Sequence, residues 1–79
     1  IDAAIDAERT RQGALWMGWH DWGRGDCSSP DVTPIVKVAV LTEECGEVAR
    51  AVLDKDNAGL RAELIQVAAV CVGWLESLT

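Results

Sequence analysis

The segment "LIQVAAVCVGWL", Leu64 to Leu75, constrains this chain more than any other. Gln66 is its only polar side chain, so a helix built on it is apolar around its whole circumference. Such a helix needs cover on every side. Its 12 residues fall short of the roughly 20 that cross a bilayer, and Glu63 and Glu76 flank it. A chain of 79 residues makes a single domain with few other elements to supply that cover. The pattern therefore predicts a small all-α bundle of about three helices, completed by self-association through the third helix as a dimer or tetramer. Ala68, Ala69 and Gly73 are small enough to let a partner helix approach closely.

The other two helices follow from local signals. Alanines and long polar side chains predict a helix over about 2–15. A second runs over 34–53, with Thr33 as N-cap and Pro34 at the first helical position, where its missing N–H costs nothing. It stops in "DKDNAG", a run of turn residues, and the third helix spans 60–78. Residues 16–33, dense in Gly, Ser, Asp and Pro, read as a long loop, and loops of that length are often functional.

Charge narrows the partners. With 7 basic against 13 acidic residues, net −6, the chain is a poor match for duplex nucleic acid, whose binding rests on phosphate neutralisation by Lys and Arg. It can still take phosphates if metal ions bridge the like charges. Cys27, Cys45 and Cys71 are odd in number and form no C-x-x-C pair. They read as free thiols in a reducing cytoplasm, with no signal peptide and no membrane partner expected.

Inside the second helix, "LTEECGEVARAVL" sets three glutamates among apolar residues. At about 100° per residue, Leu41, Cys45, Val48 and Val52 define its main core face. Glu43 points nearly opposite that face, while Glu44 lies on its edge and shares a stripe with Glu47. Two carboxylates at i and i+3 repel, and a divalent metal reverses the sign of that interaction. Carboxylate oxygens suit Mg²⁺ or Mn²⁺, which combine a few such ligands with phosphates and waters. An antiparallel hairpin through "DKDNAG" would bring Glu63 and Gln66, three residues apart on the third helix, to the same place. The competing reading makes these solvated surface residues, with Glu47 paired to Arg50 or Arg61.

"EECGE" followed after 15 residues by "ELIQ" resembles the paired motifs of the MazG-like all-α nucleoside triphosphate pyrophosphohydrolases. Most of the chain, from "AERTRQGALW" to "VGWLESL", shares in that likeness. The resemblance implies Mg²⁺-dependent cleavage of an NTP or dNTP between its α and β phosphates, giving a monophosphate and pyrophosphate. It also implies Glu44, Glu47 and Glu63 as metal ligands with Gln66 in the fourth position, and Glu43 with Glu44 as the catalytic carboxylates. Gln66 departs from the family's Asp, offering a neutral carbonyl oxygen and an amide donor where the family has a charge. A non-catalytic relative that binds nucleotide or a protein partner is the rival expectation.

Trp16, Trp19 and Trp22 recur every third residue in the loop. They suit either a stacking wall for a nucleobase or rings folded back into the core. Lys37 and Arg61 are the expected phosphate contacts, with Arg50 and Lys55 as weaker ones.

Overall fold

The computed structural model describes all of residues 1–79 and places three helices in the order α1 (Asp2–Leu15), α2 (Pro34–Leu53) and α3 (Asn57–Ser77). Helix α3 lies between the other two and packs against both. The all-α bundle expected from the apolar run is thus the observed architecture.

Helix α2 begins where its sequence predicts: Thr33 Oγ1 accepts from Val36 N at 3.4 Å, and Pro34 follows. The start of α3 is earlier than expected. Asp56 caps it, with Oδ1 accepting from Gly59 N at 2.9 Å, so Asn57–Gly59 form the first helical turn rather than a loop. The connection shrinks to three residues, and Lys55 takes the left-handed conformation (φ 55°) that reverses the chain.

The loop also holds structure that its composition hides. Trp19–His20 and Gly23–Arg24 pair as a short antiparallel hairpin. Gly23 has φ 125°, and a Cβ there would lie 2.7 Å from the Asp31 carbonyl oxygen, so only glycine fits where the hairpin meets the chain returning to α2. Farther on, Ser28 N and Oγ donate to Asp26 Oδ1 at 2.9 and 2.6 Å. That turn lays Cys27 and Ser28 across Gly73 of α3. Gly73 and Ala69 are buried within one chain, and the small size of Gly73 makes room for the loop backbone.

Burial on α2 is rotated from the expected face. Leu41 and Val48 are half-buried, but Cys45 and Val52 are exposed. The two buried positions are Lys37 and Ala51. Lys37, Glu44 and Ala51 stand seven residues apart and so form a single stripe, which places Glu44 on the packed side rather than at its edge.

The core itself is thin. Six of 79 residues are buried, none of them a large side chain removed completely from solvent. Leu64 and Leu75 of the apolar run remain 51% and 63% exposed. The run lies in a helix of 21 residues, which by length and composition alone is long and apolar enough to cross a membrane. In this fold α1 and α2 cover part of it, and Ala69, Val70 and Gly73 are its buried positions.

Candidate metal centre

The short α2–α3 connection sets the middle of α2 against the first turns of α3. Glu44, Glu47 and Glu63 converge there, with one carboxylate oxygen from each lying within 4.8 Å of the others. Glu44 and Glu63 are half-buried and Glu47 is exposed. None of the three is in an ion pair, and Arg50 lies 3.9 Å from Asp54 instead. Glu47 is exposed, and its expected pairing with Arg50 or Arg61 is not made.

The cluster strains its own ionisation. Loss of surrounding water raises the pKa of Glu44, and the neighbouring Glu47, Glu63, Glu43 and Glu8 raise it further. Glu63 is raised by the same loss of hydration, then by a hydrogen bond with Glu47 and by the charges of Glu47 and Glu8. Carboxylates gathered this closely hold their protons more tightly than isolated ones, because each disfavours the charged form of its neighbours.

Gln66 completes the cluster in an unexpected sense. Its carbonyl oxygen would face only acceptors there, so the amide nitrogen is the atom that suits the carboxylates. In that orientation Nε2 donates to Glu44 Oε2 at 2.7 Å and to Glu63 Oε2 at 3.3 Å. The residue expected as an oxygen ligand serves here as a neutral bridge between two acids.

Helix α1 contributes a part that no motif announced. Glu8 accepts from Arg11 Nε at 2.8 Å, from Arg11 Nη2 at 2.7 Å and from Gln12 Nε2 at 3.0 Å. The Arg11 bond holds the Glu8 carboxyl below its ordinary range, although partial burial opposes this. Arg11 is raised in turn, chiefly by Glu8, with a smaller contribution from Glu44. Gln12 Nε2 also reaches the Gln66 backbone carbonyl at 3.5 Å, linking α1 to α3 beside the cluster.

A cleft of about 610 Å³ opens next to Glu44, within the size range of small-molecule sites. Arg11, Glu43, Trp16, Trp22 and His20 are among its lining residues. The rings of Trp16 and Trp22 lie 5.8 Å apart, and His20 sits 5.3 Å from Trp16, edge to face. His20 is fixed by donating from Nε2 to the Gly25 carbonyl (2.7 Å) while Nδ1 accepts from Trp22 N (3.3 Å).

Three expected contacts fall elsewhere. Trp19 is 75% exposed and does not line the cleft. Lys37 is buried at 3% exposure, and its Nζ donates to Ser77 Oγ at 2.7 Å. It is thus spent inside the bundle and cannot reach a phosphate from there. Arg61 lines a different, apolar groove between α1 and α3, with Ile1, Ile5, Leu60, Leu64 and Ile65.

Fold and cluster together define a small all-α bundle with a carboxylate-rich centre bordered by aromatic rings. No known family model, curated protein or solved structure matches the chain.

Proposed function

We propose that this chain is a Mg²⁺-dependent nucleoside triphosphate pyrophosphohydrolase, converting an NTP or dNTP to its monophosphate and pyrophosphate. The observation that carries the reading is the convergence of Glu44, Glu47 and Glu63 beside a cleft walled by Trp16 and Trp22. The motif likeness to MazG-like enzymes supports it from the sequence side.

The donor set suits the metal. Three hard oxygen donors that repel one another, two of them with raised pKa values, favour a small divalent cation such as Mg²⁺ or Mn²⁺. When bound, the metal supplies charge neutralisation for the polyphosphate and acidifies a water. Glu44, Glu47 and Glu63 would hold it, with Gln66 bridging Glu44 and Glu63. Glu43 is exposed on the cleft wall beside Glu44, where it accepts the proton of the attacking water. Trp16 and Trp22 stack against the base, with His20 bracing them.

A second reading has a specific observation behind it. Gln66, turned as a donor, supplies no charge where the resembling enzymes carry an Asp, which favours a non-catalytic nucleotide-binding protein. Pyrophosphate release from a panel of NTPs and dNTPs, with and without Mg²⁺ or Mn²⁺, separates the two. Metal-dependent release is expected. Nucleotide binding without any cleavage would establish the second reading.

The assembly is a homodimer or tetramer in the cytoplasm. So thin a core, together with the apolar groove lined by Ile1, Ile5, Leu60 and Leu64, supports burial against another copy. Light scattering that finds only an 8.5 kDa species would end this part of the reading.

A further inference from the structure

The chain has seven basic side chains, and Arg11 is the one that lines the cleft beside the carboxylate cluster. Arg9 is ion-paired with Glu76, Lys37 is buried against Ser77, and Arg50 lies near Asp54. Arg24 is in the hairpin, Lys55 in the α2–α3 turn, and Arg61 in the apolar groove. A triphosphate held by the glutamates needs a counter-charge for its outer oxygens, and the expected Lys37 and Arg61 are not placed to give it.

Arg11 has the shape and the freedom for that task. Its side chain is 55% exposed, and it grips Glu8 through two parallel N–H donors. The same fork matches two oxygens of a phosphate as well as it matches a carboxylate. The Glu8 side chain is 12% exposed, so the solvent-facing partner of the pair is Arg11, whose guanidinium can turn toward a phosphate without crossing the packed interior. Glu8 is not stranded when Arg11 leaves, because Gln12 Nε2 still donates to it.

Resting on the proposed function, we infer that Arg11 is the phosphate-binding cation of this site, held on Glu8 until a polyphosphate enters the cleft and takes over its guanidinium. The α1 helix is then part of the site rather than packing alone.

Calorimetric titration of the full chain with Mg²⁺ alone, and with inorganic tripolyphosphate in the presence of Mg²⁺, tests the assignment. Arg11→Ala is expected to bind Mg²⁺ as the unaltered protein does. Its affinity for Mg²⁺-tripolyphosphate should fall about ten- to a hundredfold, the range for a lost charged hydrogen bond. Arg11→Lys, which keeps the charge but not the fork, should fall between the two. Arg61→Ala should match the unaltered chain. Tripolyphosphate binding that is unchanged in Arg11→Ala, or weakened as much in Arg61→Ala, would overturn the role of Arg11 and leave the metal centre standing. Failure of the unaltered protein to bind Mg²⁺ would remove the metal centre itself and this assignment with it.

Discussion

Lys37 and Glu44 stand two turns apart on the same stripe of α2, yet the bundle treats their charges in opposite ways. Lys37 is enclosed and given one neutral partner, Ser77 Oγ, which in turn donates to the Trp74 carbonyl at 2.6 Å. Glu44 is left half-open among four other carboxylates, Glu8, Glu43, Glu47 and Glu63, with Gln66 as its bridge. One charge has been absorbed into the packing, and the other has been kept available. Burial alone does not mark a functional group, and the proposed function rests instead on the gathering of like charges around Glu44, beside the cleft that Glu43 and Glu44 line.

The largest test of that contrast removes the available charge. Glu44→Gln is expected to lower pyrophosphate release by about a thousandfold, as loss of a metal ligand does to metal-assisted hydrolysis. The same variant should melt higher than the unaltered protein in EDTA, since the mutual repulsion is relieved. Activity retained in Glu44→Gln would show that the cluster is not the reaction centre. Gln66→Asp should act in the reverse sense, tightening Mg²⁺ binding about tenfold by adding a charged oxygen ligand. It removes the bridge to Glu44 and Glu63, so the metal-free protein should lose about 1–3 kcal/mol in a denaturant titration.

On the absorbed side, Lys37→Met keeps the length of the side chain and removes the enclosed charge. Stability is expected to rise by about 1 kcal/mol, with turnover unchanged. A fall in turnover would mean that the amine serves the substrate after all. The smallest effect is one of pH. Glu44 and Glu63 bind protons more tightly folded than unfolded, so their repulsion is absent at acid pH and grows as pH rises above the ordinary carboxylate range. The Glu8 shift is opposite and acts at lower pH, where protonation costs its bond to Arg11. Melting in EDTA should therefore fall as pH rises above the ordinary carboxylate range, and saturating Mg²⁺ should abolish the fall.

How much of this was legible follows from which forces are local. Thr33-Pro34 marks the start of α2 in sequence because the cap and the N1 proline act within one turn. The i, i+3 spacing of Glu44 and Glu47, with Glu63 beyond a short turn, likewise gives the cluster before any coordinates. The start of α3 was hidden because "DNAG" has turn composition, while Asp56 uses it as a capped first turn. The rotation of the α2 face was hidden by Lys37, since no apolar pattern places a lysine in a core. Arg11 and Glu8 could not be found by motif at all: they reach the site because α1 docks on α3, a tertiary event with no local signature.

The loop backbone at Cys27 and Ser28, resting on Gly73, has a consequence for how the molecule opens. The α2–α3 hairpin is built from contacts close in sequence, whereas the cleft wall carried by the loop is fastened to a distant point on α3. Segments with few buried contacts open at lower free energy than the elements beneath them. Amide hydrogens of the Trp19–Arg24 hairpin should accordingly exchange well before those of α2 and α3 around Glu44 and Glu63. The half of the cleft carried by the loop would then come and go on a skeleton that keeps Glu44, Glu47 and Glu63 in place.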